Sequence, residues 1–400
     1  MSDSSALFPP LRRAGLDRLA QFAPRAGHHY AAGRNTDAGP GQPGGVSQLS
    51  PYLRYRMVTE AEVVAAVLAQ HSAAAAEKFV QEVLWRTYWK GWLELHPEVW
   101  SRFEDERDRQ QGELRDHRAI ADAEAGATGI DGFDDWAHEL VATGYLHNHA
   151  RMWFASIWIF TLRLPWALGA DFFLRHLVDA DAASNTLSWR WVAGLQTVGK
   201  TYLATAENIA RFTGGRFKPV GLATEALPLA EPPVAAAGVL PQYRSPAPRI
   251  TTLLLVTADD LHPESVVPRD ADIAGIIVAA DPALLWGDAA RHFVREAAAE
   301  TVARAAAHFG YPATVAASLD AALVIAAANA IGAQQVVAPY APVGPTADAI
   351  ARLAPQLAAS GLSLATVRRD WDEAFWPHAR KGFFPFRERI PALLREIGLQ

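Results

Sequence analysis

Near residue 219 the apolar residues change their period, and this limits the fold more than any single motif. Before that point, residues 60–70 (EAEVVAAVLAQ), 74–95, 134–143 and 148–163 carry apolar side chains at helical spacing. No comparable strand pattern interrupts them. After residue 248, "RITTLLLVTADDL", "IAGIIVAADP", "AQQVVAPYAPVGP" and "LSLATVRRD" are short aliphatic and β-branched runs closed by acidic or proline turns. Ala-rich segments with helical spacing, 288–308 and 346–359, lie between them. Strands alternating with helices imply a parallel, doubly wound sheet. The intervening 219–248 is rich in Pro and Ala with little periodicity, so it reads as a semi-extended linker. The expectation is a mainly α domain over 1–218, a linker over 219–248, and a Rossmann-like α/β domain with a parallel sheet over 249–400.

Composition agrees with two domains, because 400 residues exceed one typical core. The chain has no cysteine, which excludes disulfides, thiolate nucleophiles and thiolate-bound metals. A net charge of −6 argues against a protein that coats nucleic acid indiscriminately, while leaving room for a local basic patch. The run around Trp153 to Leu164 is broken by Arg163 and preceded by Arg151, and no run reaches the roughly 18 residues of a membrane span. The N-terminal MSDSSALFPPLRRAGL has no continuous apolar stretch of the secretory type, so the expected compartment is the cytoplasm.

Several motifs carry more than one reading. Gly39–Gly44 (GPGQPG) fits a GxGxxG expression but lacks the flanking strand and helix of a dinucleotide site, and reads as a loop. His147, Asn148 and His149 form no ligand set, since alternate helical residues point apart and no acid completes it; no metal is expected. Ser47 and Ser50, after Gly44 and Gly45 and before Pro51, can cap a helix or hold a phosphate. In "EVLWRTYWKGW", Glu82, Trp85, Arg86 and Trp89 share one helix face, either as a Glu82–Arg86 surface pair or as a pocket wall. Ten of the thirteen tryptophans lie between Trp85 and Trp191, two of them in "DADAASNTLSWRW" beside small polar residues.

Taken in order, "GVSQLSPYL" (45–53), "EVLWR" (82–86), "TGYLHNHARMWFAS" (143–156) and "LVDADAASNTLSWRWVAG" (177–194) resemble the FAD-binding domain of the cryptochrome/photolyase family. The resemblance spans roughly residues 25–212. It implies FAD held in a U-shape inside the helical domain. Ser47 and Ser50, with the backbone of Val46, Gln48 and Leu49, would hold the diphosphate and ribityl chain, with Tyr30 and Arg86 nearby. Arg151 would pair with Asp179 beside the flavin, Asp181 would approach its pyrimidine edge, and Asn148 would also touch the cofactor. Asn185 would face flavin N5, where an amide has no acidic proton to give. Trp189 and Trp166 fall at the inner positions of the family's electron relay. The outer tryptophan has no counterpart, because residues 101–127 contain none, so the path would end at Trp136, Trp158 or a tyrosine, or be shortened.

The resemblance also implies a substrate. Trp85 and Trp191 match a pair lining the cavity for a flipped-out pyrimidine dimer. Glu82 would bond to the dimer and stabilise its charge, and Asn148 and Met152 would complete the wall. His149, Arg190, Lys200, Arg211, Arg216 and Lys218 are candidate phosphate contacts. The implied activity is blue-light-driven repair of cyclobutane pyrimidine dimers in DNA, by an electron lent from excited FADH⁻ and returned. The alternative is a cryptochrome-like photoreceptor with a protein signalling partner and no repair.

Two departures stand out. The α/β segment follows the helical one, where family members have it first, and residues 331–390 look like the end of that antenna domain; a second, antenna chromophore of unknown identity would belong there. After Gly194 the family's usual motif is replaced by "GLQTVGKTYLATAENIARFTGG".

Overall fold

The computed structural model describes residues 7–42, 44–114, 117–268 and 271–399; Pro43 of the GPGQPG run lies outside them. Up to residue 212 the described elements are helices: α1 (Arg12–Phe22), α2 (His28–Gly33), α3 (Ser50–Arg54), α4 (Glu60–Leu68), α5 (Ala73–Leu95), α6 (Glu98–Glu113), α7 (Arg118–Glu124), α8 (Phe133–Thr143), α9 (Asn148–Ser156), α10 (Trp166–His176), α11 (Ala182–Val192) and α12 (Ala206–Phe212). Their starts follow local chemistry. Thr59 and Glu62 form a reciprocal capping box at α4, Ser72 caps α5 and Asp181 caps α11. Gly144, at φ 69°, ends α8 in the left-handed conformation that glycine adopts at least cost. The apolar pattern of 148–163 is one α-helix to Ser156 that continues as a π-turn over Ile157–Thr161.

The C-terminal half is the expected parallel α/β layer. Strands β1 (Thr252–Thr257), β2 (Ile273–Ala279), β3 (Ala313–Ala316), β4 (Gln335–Pro339) and β5 (Ser363–Val367) are ordered β3-β2-β1-β4-β5, and every pairing is parallel. Helices α13 (Asp288–Phe309), α14 (Ala321–Ala330), α15 (Pro345–Ala359), α16 (Asp370–Phe375) and α17 (Phe383–Glu396) complete it. All six β1 residues are buried, as a central strand covered on both faces requires. β3 is the element that the sequence pattern does not announce. It has four residues at a sheet edge, two of them exposed, and too little apolar run to stand out.

Strand order reverses between β1 and β4, where open α/β sheets form a ligand crevice. Here side chains of the helical half fill it. Arg54 Nη1 donates to Asp259 Oδ1 at 2.7 Å, just beyond β1, and Arg56 reaches Asp372 at 2.7 Å and Asp260 at 3.7 Å. A residual space of about 10 Å³, bounded by Arg54, Lys90, Asp181, Asp259 and Trp286, has room for about one water.

The 219–248 stretch is a strap, extended but bound along its length. Ala223 N–H donates to Thr161 Oγ1, Leu229 N–H to the Ala193 carbonyl, and Gly238 N–H to the Leu95 carbonyl. Arg102, Arg380 and Arg368 donate to the carbonyls of Pro232, Ala237 and Pro241. Proline has no N–H to offer, so carbonyl-seeking arginines are the natural clasp for such a segment.

Candidate cofactor and substrate site

The loop over residues 44–49 enters α3 without a side-chain cap. Leu49 occupies the cap position, so neither Ser47 nor Ser50 caps the helix. Both serines are half-buried, and among the described residues neither hydroxyl has a hydrogen-bond partner. Gln48 takes φ +51° and accepts from Arg18 through its side-chain oxygen at 2.8 Å. Gly45 presses on α2, where an added Cβ would lie 2.8 Å from the Gly33 carbonyl oxygen. Val46 is half-buried, while Leu49 and Tyr30 are in the core, Tyr30 edge-on to Phe22 and Phe79.

On α5 the Glu82–Arg86 pair is not formed. Glu82 pairs with Arg34, and Arg86 Nη2 donates to Asp181 Oδ2 at 2.9 Å. Burial pushes the Glu82 carboxyl up, against the pull of Arg34. Asp181 is fully buried, which alone would raise its pKa. Arg86, Lys90 at 3.6 Å, Arg54 at 3.6 Å and the Ser184 N–H at 2.7 Å hold it far below the usual carboxylate range instead. Burial, opposed by Asp181 but assisted by the neighbouring arginines, brings Lys90 down to about 8. Lys90 and Arg54 did not stand out in the sequence. Their only signal is position, a lysine inside the aromatic run "WRTYWKGW" and an arginine in "YLRYR".

Arg151 Nη2 donates to Asp179 Oδ2 at 3.0 Å, and its Nε to the Leu146 carbonyl at 3.0 Å. On α11, Asn185 is buried and donates from Nδ2 to the Ala170 carbonyl at 2.9 Å. Ser184 and Trp191, on the same face, stay half-buried, and Ser188 is exposed. Three polar atoms in this neighbourhood, Arg86 Nε, Asp179 Oδ1 and Ser184 Oγ, are buried without a hydrogen-bond partner. Unpaired buried groups of this kind are costly unless a ligand meets them. With the unpartnered serines, they fit a polar ligand bearing both donors and acceptors, as FAD does.

The expected substrate residues are more dispersed. Trp85 lies flat on Phe383 of α17, centroids 3.6 Å apart and planes at 11°. Trp191 stacks on Tyr202 at 5.7 Å. Asn148 is exposed and Met152 half-buried. His147 Nδ1 accepts from the His149 N–H as the cap of α9, and burial with His147 and Arg34 brings His149 down to about 4. Among the described residues no three His, Asp or Glu side chains gather at metal-holding spacing. Arg190 is not available to a phosphate, because it is buried against Glu231 of the strap. Arg216 pairs with Asp37 at 3.1 Å, while Lys200, Arg211 and Lys218 are exposed.

Trp189 is buried, edge-on to Trp158 at 6.3 Å and Phe173 at 5.1 Å, and against Gly169, where any Cβ would collide with its ring. Trp166 contacts Phe103 at 5.8 Å, which contacts Trp100 at 5.3 Å, which contacts Trp286 at 5.8 Å. Trp136 stacks on Trp153 instead.

Beside this site, Glu139 is raised to about 7 by burial and by Asp37, against Arg216. Its native pKa exceeds the unfolded one, so its ionisation costs stability increasingly from about pH 4.5 to 7 and fully above. Glu139→Gln is expected to stabilise the protein by about 1–3 kcal/mol at pH 8, the gain shrinking toward pH 4.5. Urea unfolding at both pH values measures this.

Comparison with known proteins finds relatives for the helical half. The model of the FAD binding domain of DNA photolyase matches residues 79–214. A deoxyribodipyrimidine photo-lyase of Streptomyces griseus is 36% identical over 152 residues, 38% of this chain and 32% of that protein. One of Alkalihalophilus pseudofirmus is 29% identical over 188 residues, 47% of this chain and 38% of that protein. A crystal structure of a bacterial class III photolyase from Agrobacterium tumefaciens is 29% identical, with a TM-score of 0.46 over 53% of this chain and 44% of that one. The chain thus covers less than half of the length of these relatives. Through its helical half the chain is similar to the FAD-binding domain of DNA photolyases.

Proposed function

We propose that the helical half binds FAD and that the protein uses blue light to repair cyclobutane pyrimidine dimers in DNA. The observation that carries the cofactor reading is the Arg151–Asp179 pair with its unpartnered Asp179 Oδ1, beside the unpartnered Arg86 Nε and Ser184 Oγ. Ser47, Ser50 and the backbone of residues 46–50 would hold the diphosphate and ribityl chain. Arg86, Arg151, Asp179, Asp181 and Asn185 would surround the flavin, with Tyr30 and Asn148 at its margins. When bound, FAD supplies light absorption and a one-electron donor to the dimer.

The chain's own residues supply orientation and electrostatics. Arg86, Lys90 and Arg54 favour the anionic form of Asp181. Asn185 offers an amide, which has no acidic proton to deliver. Glu82, with its pKa raised, is suited to hydrogen-bond a dimer carbonyl and to steady charge there. Trp85, Trp191 and Met152 would form the apolar walls. Trp189 and Trp166 would pass electrons inward to restore the reduced cofactor. An antenna chromophore would need a place other than the sheet's switch point, which Arg54 and Arg56 fill.

One observation favours a photoreceptor without repair: Phe383 already covers a face of Trp85. The two readings separate in a repair assay. Photoreduced protein is mixed with oligothymidine containing cyclobutane dimers, and thymine absorbance is followed under blue light and in darkness. Light-dependent recovery is expected, lost by about tenfold or more in Trp85→Ala, which removes a stacking face, and in Glu82→Ala, which removes a positioned polar group. Absence of recovery in yellow, photoreducible protein supports the photoreceptor.

A further inference from the structure

The start of α17 carries two consecutive phenylalanines with opposite fates. Phe383 is buried on Trp85, while Phe384 is 67% exposed. Isolated apolar residues on a surface are ordinary, but this one has company. Over residues 377–389 (PHARKGFFPFRER) the chain carries Arg380, Lys381, Arg387 and Arg389 against the single acid Glu388, in a protein of net charge −6. Arg380 is tied to the strap carbonyls. Lys381 is exposed, and its backbone is fixed on α5 because Tyr88 Oη donates to its carbonyl at 2.7 Å. The Arg387 guanidinium lies 5.2 Å from the centre of the Phe384 ring. The result is an aromatic plane and two cations around the start of α17, whose Phe383 packs on Trp85, itself one helical turn from Glu82.

We infer that Lys381, Phe384 and Arg387 form a contact surface for a DNA strand, taking the strand beside the Trp85 pocket. An exposed ring flanked by cations is the combination that single-stranded nucleic acid recognition uses, the ring stacking on a base and the cations on phosphates. On this reading the α/β half takes part in substrate binding: α17 comes from that half, yet its Phe383 lies against Trp85. It also gives the protein a strand contact where Arg190, taken by Glu231, cannot serve. This inference rests on the repair reading, which supplies the reason for a DNA strand at Trp85.

The test uses the full-length protein and fluorescein-labelled oligothymidine, undamaged or ultraviolet-damaged, with anisotropy read across a salt series. Phe384→Ala is expected to weaken both oligonucleotides about fivefold to a hundredfold with the salt slope unchanged, since stacking releases no counterions. The double variant Lys381→Ala/Arg387→Ala is expected to make the slope of log K against log salt shallower by about 1.4. Lys381 and Phe384 are exposed and Arg387 is half-buried, so the melting temperatures of the variants check the fold. If these variants bind like the parent while Trp85→Ala loses the preference for damaged oligonucleotide, the α17 surface is overturned and the repair reading survives. If the parent binds neither oligonucleotide, both fall together. If the Phe384 effect appears on vesicles of anionic phospholipid and not on oligonucleotides, the surface serves a membrane and the inference is overturned.

Discussion

Asp181→Ala is expected to destabilise the protein by about 3–5 kcal/mol, the usual result of removing one partner from a buried ionic cluster. The arithmetic lies in what remains. Arg54, Arg86 and Lys90 all point at this one carboxylate, and each is largely or wholly buried. Asp259 still serves Arg54, but Arg86 and Lys90 lose their closest counter-charge, Glu60 lying 3.9 Å from Arg86. Lys90, already down to about 8, is the group that can respond by giving up its proton. Asp181→Asn keeps the cap acceptor for the Ser184 N–H and should recover part of the loss. Urea unfolding of the three proteins measures both effects. An Asp181→Ala cost below about 1 kcal/mol would mean that water reaches the cluster and screens it.

The second large effect concerns Trp189. Trp189→Phe is expected to slow light-driven reduction of bound flavin by two orders of magnitude or more, a barrier change of about 3 kcal/mol, while the protein stays yellow. The substitution removes a readily oxidised ring and keeps an aromatic one between Phe173 and Gly169, leaving a smaller cavity than alanine would. Continuous illumination with an external reductant, followed by absorbance, is sufficient. Trp136→Phe is the control: its ring packs on Trp153 and its Nε1 donates to Asp37 at 3.3 Å, away from any contact with Trp189 or Trp166. Equal loss in both variants would point to damaged packing rather than a lost relay.

The layout was legible in the sequence wherever a repeating period existed. Helix α5 emerges over 73–95 where spacing placed it at 74–95, and four of five strands fall inside the aliphatic runs. β3 escaped because an exposed four-residue edge strand needs little hydrophobic run. The geometry of Arg151 with Asp179 was legible only through motif resemblance, since 28 residues separate the partners. Lys90 and Arg54 were not legible at all. A buried cation looks like a solvated one until the acid facing it is known, and Asp259 lies 205 residues from Arg54. The strap was read as a linker for a related reason: composition shows that prolines cannot donate, but not which distant arginines will.

Arg54 answers to two acids, Asp181 at the start of α11 in the helical half and Asp259 beyond β1. The junction between the halves is therefore written in side chains, not in the path of the backbone. A connection of 30 residues can span up to about 100 Å when extended, far more than two touching bodies require. Which half is translated first then has no bearing on the charge balance around Asp181. A gene encoding the halves in the opposite order would build the same junction.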